Sequence, residues 1–202
     1  MPVVEFFFDY GSPWSYVAFT QVPLVAARAG AEVRYRPMLL GGVFKATGNQ
    51  SPAEFNVPAK RAYSKREFER YAARYKIPFA PNPHFPINTM TLMRGAAWTE
   101  IEGGSSQDRL LAYSRAIFHA MWVEPQNLGD PSVLAPVLAK AGIDPAAFQV
   151  ATARADVKDR LRATTEEAIA RGVFGAPTFF VGPEMFFGQD RLDFVAEALA
   201  AK

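Results

Sequence analysis

The chain opens with a short apolar run that passes directly into a helix start, and this junction limits the folds that it can adopt. Residues 3–9 are rich in Val and Phe and are closed by Gly11-Ser12-Pro13, a pattern that predicts a buried strand. Apolar residues then recur at helical spacing over residues 13–29, with Ser12 placed as the N-cap and Pro13 at the first helical position. Residues 32–38 alternate polar and apolar side chains as a second strand. The three elements form a βαβ unit, whose crossover is normally right-handed.

The end of the chain returns to strands after a long helical middle. Two short strands are predicted at residues 177–181 and 184–187, followed by an amphipathic helix at residues 190–201. Two stretches in the middle predict loops, residues 39–58 with at most a short helix and the proline-rich residues 77–87. The other segments predict helices at residues 64–75, 89–102, 106–122, 131–141, 145–153 and 157–171. We therefore expect an α/β sheet domain interrupted by a helical insertion, with a ligand cleft between the two.

Charge and cysteine content exclude several classes of function. The 202 residues include no cysteine, which excludes disulfides, thiolate metal sites and thiol redox chemistry by the protein itself. The 22 Lys and Arg against 20 Asp and Glu form no concentrated basic face, so nucleic acid is not an expected partner. The start of the chain has no signal-peptide pattern, and no segment reaches the ~20 apolar residues of a membrane span. We expect a cytoplasmic protein that binds no metal.

Ser12 allows two interpretations at the start of the first helix. Serine is a common N-cap, where its oxygen accepts a backbone N–H bond worth about 1 kcal/mol. The same position suits an anion or a thiolate, because a helix N-terminus carries partial positive charge and unpaired N–H groups, and a serine hydroxyl there can donate a hydrogen bond. Ser15, one turn later, is expected to satisfy backbone groups of the first turn.

Three stretches of the chain resemble one branch of the thioredoxin superfamily. They are SPWSY at residues 12–16, GNQSP at 48–52 and GVFGAPTFFVGPEMFFGQDRL at 172–192. With the rest of the chain they resemble the 2-hydroxychromene-2-carboxylate isomerase family, which is related to the kappa-class glutathione transferases and the bacterial disulfide oxidoreductases. The resemblance spans nearly the whole chain. It implies a thioredoxin-like fold formed by residues 1–40 and 172–202, a large all-helical insertion domain formed by residues 41–171, and a homodimer.

The resemblance also implies that glutathione brings the thiol that this chain lacks. Ser12 matches the catalytic serine that hydrogen-bonds the glutathione sulfur. Ala176-Pro177 matches the cis-proline loop whose backbone pairs with the cysteinyl part, whereas the residues alone would equally fit a trans proline opening an edge strand. Gln189-Asp190 matches the residues that bind the γ-glutamyl part, whereas Asp190 alone would be interpreted as a helix N-cap.

Further site residues follow from the same resemblance. Asn49 and Lys60 match polar residues that contact glutathione, although the spacing between them is longer here by about two residues, so Arg61 is an alternative to Lys60. Lys45 and Asn88 match residues that hold the aromatic acid substrate.

The implied function is a glutathione-dependent isomerase of the 2-hydroxychromene-2-carboxylate type, acting on aromatic catabolic intermediates. In the family chemistry a serine-stabilised glutathione thiolate assists ring opening and bond rotation, and no net glutathione is consumed. One alternative is a kappa-class-like glutathione transferase or peroxidase. An alternative of another class is a cysteine-less thioredoxin-like binding or chaperone module, since a fold does not fix a function.

Overall fold

A mixed sheet forms the centre of the fold. The computed structural model describes residues 1–51, 57–104 and 106–201. Its strands are β1 (Val3–Phe8), β2 (Glu32–Pro37), β3 (Thr178–Val181) and β4 (Glu184–Phe187), in the spatial order β2-β1-β3-β4. The β1–β2 pair is parallel, as a βαβ unit requires, and the β1–β3 and β3–β4 pairs are antiparallel. The predicted strands are confirmed, with each end within one residue of its predicted position.

Helices surround this sheet and fill the middle of the chain. In chain order they are α1 (Pro13–Arg28), α2 (Leu40–Thr47), α3 (Pro58–Tyr75), α4 (Met90–Gly103), α5 (Asp108–Trp122), α6 (Pro131–Lys140), α7 (Pro145–Ala153), α8 (Ala155–Ala170) and α9 (Leu192–Ala200). Helix α2 is the short helix expected within the loop at residues 39–58, of which residues 52–56 lie outside the described part. Helix α3 begins six residues earlier than predicted, with Pro58 in its first turn, a favoured place for proline. The α/β arrangement with a helical middle is confirmed.

The two faces of β1 pack against different helices. Phe6 and Phe8 belong to one buried cluster with residues of α1, α4 and α5, whereas Phe7 points to the other face and packs with Ala168 of α8 and Phe180 of β3. This alternation is the two-residue period of a strand that is buried on both faces. Because the first cluster includes residues from the predicted insertion as well as the sheet, the two parts share one continuous core.

A partly buried ion network covers the Phe7 face of the sheet. Arg36 pairs with Glu5 at 2.7 Å and with Glu167 of α8, and Arg171 pairs with Glu5 at 2.8 Å. Both guanidinium groups also lie over the Phe7 ring, at 5.1 and 5.5 Å from its centroid. The network fastens α8 to the sheet. The division into residues 1–40 with 172–202 and residues 41–171 stays a prediction, since α8 lies within the second range.

The Gln107 side chain bonds to the open edge of β2. The Gln107 amide accepts from the Tyr35 N–H and donates to the Tyr35 carbonyl, both at 2.9 Å. A side chain thus takes the place of a further strand at this edge. Among the described residues, no single helix has both the length and the apolar character needed to cross a membrane; α6 and α7 pass that test only when taken together as a pair bent by 113°.

Candidate active site

Ser12 lies at the meeting point of α1 and the loop before β3. Its Oγ accepts from the Ser15 N–H at 3.1 Å, which is the predicted N-cap bond, and donates to the Ala176 carbonyl at 3.1 Å. Its own N–H donates to the Asp9 carbonyl at 3.0 Å, which closes the turn between β1 and α1. The first turn of α1 holds no acidic residue, so no nearby carboxylate of the helix offsets the partial positive charge of its N-terminus. The site is therefore suited to receive an anion beside the Ser12 hydroxyl.

Ser15 differs from its expected role. Its side chain is fully buried, and its hydroxyl oxygen has no hydrogen-bond partner among the described residues. The prediction that this side chain satisfies backbone groups is therefore wrong, because the first-turn bond runs from its N–H to Ser12.

The loop that carries Ala176 joins several of the predicted site residues. The Ala176–Pro177 peptide bond is cis, as the family resemblance implied. The Pro177 carbonyl accepts from the Gly188 N–H at 3.0 Å, which ties the loop to the segment bearing Gln189. On its other side, the Asn49 amide donates to the Phe174 carbonyl at 2.9 Å. Residues distant in sequence thus meet around one loop.

Gln189 and Asp190 lie in a short 3₁₀ turn, Gln189–Arg191, that precedes α9. Helix α9 begins at Leu192, two residues later than predicted, and its N-cap is Arg191, so the interpretation of Asp190 as the helix N-cap is wrong. Asp190 instead pairs with Arg191 at 3.0 Å and lies over Gly188, whose φ is +100°. Gln189 is 3% exposed, and its Oε1 has no partner among the described residues. A buried acceptor of this kind usually indicates a partner still to be supplied.

A small cleft opens between this turn and α3. It is lined by Gln189, Asp190, Asp193 and three residues of α3, Tyr71, Arg74 and Tyr75. The side chains supply both signs of charge, the cation Arg74 and the carboxylates of Asp190 and Asp193. The two acids and burial raise the pKa of Tyr75, although burial is the larger cause. The α3 residues were missed in the sequence because only the tertiary packing brings them to the turn.

An aromatic stack holds α3 next to the Ser12 turn. The Trp14 ring stacks on Phe68 of α3 with 3.8 Å between ring centroids, and Phe68 stacks on Phe79 at 5.1 Å. Tyr71 meets Trp14 edge-on at 5.7 Å. The residue after Pro13 therefore positions one wall of the cleft.

The remaining predicted residues lie on surrounding elements. Lys45 is exposed in the last turn of α2, and Lys60 and Arg61 are exposed in the first turn of α3. Asn88 is exposed just before α4, where its Oδ1 accepts from the Met90 N–H at 3.0 Å. In the described part of the chain, no group of three or more His, Asp or Glu side chains could hold a metal ion.

Asp9 is a buried acid that the sequence interpretation passed over. It is 1% exposed, and its two carboxylate oxygens accept from the Gly11 and Leu40 N–H groups, each at 2.8 Å. Burial raises the pKa of Asp9 from its ordinary value, while these two N–H groups and the Thr89 side chain oppose the rise. The signal was a charged residue that closes an apolar strand two residues before a glycine.

Comparison with known proteins gives consistent matches along nearly the whole chain. The profile of the DSBA-like thioredoxin domain family matches residues 3–200. The 2-hydroxychromene-2-carboxylate isomerase of Sphingobium xenophagum is 31% identical, with 97% of each chain covered. The kappa 1 glutathione S-transferase of Rattus norvegicus is 28% identical over 99% of this chain and 92% of its own. The solved structure of a 2-hydroxychromene-2-carboxylate isomerase matches with a TM-score of 0.85 and 31% identity, covering 98% of this chain and 95% of that one.

Proposed function

Because the chain belongs to the DSBA-like thioredoxin domain family, and within it to the 2-hydroxychromene-2-carboxylate isomerases, we propose that it is a glutathione-dependent isomerase of that type. The thioredoxin-like fold and the isomerase function predicted from the sequence agree with these matches. The observation that carries the proposal is the Ser12 hydroxyl, which lies at a helix N-terminus and faces the Ala176 carbonyl in a chain without cysteine.

The residues around Ser12 fit glutathione. When bound, glutathione supplies the nucleophilic thiol that the chain lacks. Gln189 offers a buried oxygen that has no partner among the described residues, and Asp190 beside it offers a carboxylate, so the pair suits the ammonium group of a γ-glutamyl moiety. Arg74 lines the same cleft and suits the γ-glutamyl carboxylate. Asn49 and Lys60 or Arg61 complete the proposed set on the neighbouring elements.

Ser12 would stabilise the glutathione thiolate by a hydrogen bond. An ordinary thiol with a pKa of ~8.5 needs a depression of about two units, or ~2.7 kcal/mol, to be mostly ionised at neutral pH. A helix N-terminus contributes about 0.3–1 kcal/mol and a hydrogen bond to a charged group about 1.5–3 kcal/mol, which together reach that value. The Ser12 hydroxyl would turn from the Ala176 carbonyl to make this bond. No protein base is required.

The second substrate is an aromatic carboxylate from aromatic catabolism. Lys45 at the end of α2 supplies a cation for its carboxylate, and Asn88 before α4 supplies an amide. With the thiolate held by Ser12, these residues would fix the acid in the attack geometry that proximity catalysis requires. We further propose a homodimer that works in the cytoplasm and uses neither nucleic acid nor a membrane.

A kappa-class-like transferase or peroxidase is the second candidate, favoured by the match to the rat kappa 1 enzyme over 99% of this chain. It differs in its product, because a conjugate or oxidised glutathione would leave the enzyme. Product analysis separates the two enzymes. A binding or chaperone module without activity would show neither product.

The experiment pairs a thiol titration with a turnover assay. Glutathione is titrated with the wild-type protein while thiolate absorbance is followed, and 2-hydroxychromene-2-carboxylate isomerisation is measured with and without glutathione. We expect Ser12→Ala to lose both the lowered thiol pKa and most of the turnover. Ser15→Ala is the matched control, because its hydroxyl has no partner in the same turn, and it should retain both. A wild-type protein that turns over equally well without glutathione would refute the proposal.

A further inference from the structure

We infer that Asp9 is a positioning residue that fixes the thiolate-binding turn relative to the helix that binds the aromatic acid. The inference rests on the proposed function. Asp9 lies at the end of β1 and touches three segments: the turn that ends in Ser12, helix α2, which carries Lys45, and the start of α4 beside Asn88. One carboxylate thus lies between the two halves of the proposed site.

The first contact of Asp9 fixes the turn between β1 and α1. Oδ1 of Asp9 accepts from the Gly11 N–H at 2.8 Å, while its backbone carbonyl accepts from the Ser12 N–H at 3.0 Å. The turn is packed tightly, since a Cβ on Gly11 would come within 3.1 Å of the Thr89 methyl group and 3.3 Å of Oδ1. Ser12 therefore has little freedom to move relative to Asp9.

The second contact of Asp9 fixes the position of the N-terminus of helix α2. Leu39, its N-cap, has no side-chain oxygen to offer, and Oδ2 of Asp9 accepts from the Leu40 N–H at 2.8 Å instead. The neighbouring Leu39 N–H donates to Thr165 Oγ1 of α8 at 2.9 Å. A helix of eight residues cannot sustain itself by its own hydrogen bonds, so its place depends on such contacts from outside. The Asp9 side chain, which follows β1, thus caps the N-terminus of α2 with its carboxylate.

The third contact reaches α4. Thr89 lies beside the same turn, with its methyl group 3.1 Å from the place of a Cβ on Gly11, and its side chain opposes the rise that burial causes in the pKa of Asp9. Thr89 is the N-cap residue of α4 and follows Asn88 directly. The carboxylate therefore connects the proposed thiolate donor with both residues proposed to hold the acid.

A carboxylate is needed because two donors point at it from opposite sides. An amide has only one acceptor oxygen, so Asp9→Asn can satisfy either Gly11 or Leu40. Asparagine readily bonds the N–H two residues later, which favours the bond to Gly11. The substitution should then release α2 and leave the Ser12 turn in place.

The test measures both halves of the site in Asp9→Asn. We expect the KM for 2-hydroxychromene-2-carboxylate to rise about 10- to 100-fold, the effect of one charge-assisted hydrogen bond. The acid dissociation constant of the bound thiol should stay within about twofold of wild type, because the Ser12 turn remains in place. Hydrogen exchange should accelerate in residues 40–47 and remain unchanged in residues 11–16.

Two further variants separate positioning from general stability. Thr152→Val removes a buried hydroxyl of α7 that bonds the Phe148 carbonyl at 3.0 Å, so it should lower Tm without changing KM. Leu39→Ser added to Asp9→Asn restores a local cap at a backbone conformation suited to one, with φ −86° and ψ 105°, and should recover much of the KM.

Unchanged KM and unchanged exchange in residues 40–47 would overturn the inference, as would accelerated exchange in residues 11–16. If the wild-type protein shows no glutathione-dependent turnover, the proposed function fails instead, and hydrogen exchange still decides whether Asp9 holds α2. Should Asp9→Asn not fold, Thr89→Val removes only the third contact, and a KM unchanged in that variant would count against the inference.

Discussion

Truncation of Phe68 to alanine should loosen α3 while leaving the core of the protein intact. Helix α3 contains no buried residue, although it forms one wall of the cleft beside Gln189 and Asp190. Phe68 stacks on Trp14 with 3.8 Å between centroids and on Phe79 with 5.1 Å. The substitution removes both of these ring contacts and keeps the edge-on contact between Tyr71 and Trp14.

The size of the effect follows from the two stacks. Each aromatic pair contributes about 0.5–1.5 kcal/mol beyond the area that it buries, so the two together contribute about 1–3 kcal/mol, or a roughly 5- to 150-fold change in an equilibrium. Because α3 buries none of its residues, this loss should appear as local opening rather than as global unfolding. When α3 opens, Arg74 leaves the cleft. The KM for glutathione should therefore rise, while kcat at saturating glutathione changes little.

Hydrogen exchange over residues 58–75, the glutathione KM and Tm together test this prediction. Tyr63→Ala is the matched control, an aromatic truncation on the same helix at a side chain that is 60% exposed. It should leave exchange and KM unchanged. The reasoning is refuted if Phe68→Ala exchanges as slowly as wild type in α3, or if exchange in the sheet strands accelerates as much as in α3.

Four other changes test separate parts of the structure. Ser12→Ala removes an N-cap bond and a bond to the loop before β3, so chemical denaturation should show a loss of about 2 kcal/mol. Gly188→Ala places a Cβ 2.5 Å from Asp190 Oδ1 at a φ of +100°, so Asp190 should be displaced and glutathione affinity should fall; an unchanged affinity in calorimetry would show that Asp190 does not bind it. Arg36→Met removes the central cation of the partly buried ion network and should lower the free energy of unfolding by about 1.5–3 kcal/mol in denaturant titrations. Burial raises the pKa of Asp9 above 3.8, so its contribution to stability falls as pH rises from 3.8 to the folded pKa, and the Tm deficit of Asp9→Asn should shrink over that interval.

The sheet was predictable because its signals are local. Residues 3–9 and 184–187 are apolar runs with clear breaks, and they form β1 and β4 within one residue. The start of α3 was less clear, because residues 58–63 carry few apolar side chains and Pro58 was the one start signal. The N-terminus of α2 could not be predicted at all, since its cap is the Asp9 carboxylate, 31 residues away in sequence.

The candidate site is built from contacts that no local pattern encodes. Ser12 and Ala176 are separated by 164 residues, and the edge of β2 is covered by Gln107, 72 residues from Tyr35. The resemblance to a family suggested Ser12, Asn49 and Asp190 because each lies within a sequence motif that can be matched position by position. It could not propose Asp9 or Arg74, whose importance arises from the three-dimensional neighbours that each one meets.

Under the proposed function, competition for the Ser12 hydroxyl would give the site a preference for the charged form of a thiol. The hydroxyl has one hydrogen to donate, and in the free protein the Ala176 carbonyl receives it. A neutral thiol is a weaker acceptor than that carbonyl, so it would not draw the hydrogen away. A thiolate forms a charge-assisted bond about twice as strong as a neutral one and also benefits from the N-terminus of α1, so it would. The bond to Ala176 would thus set a threshold that an ionised sulfur exceeds and a neutral thiol does not.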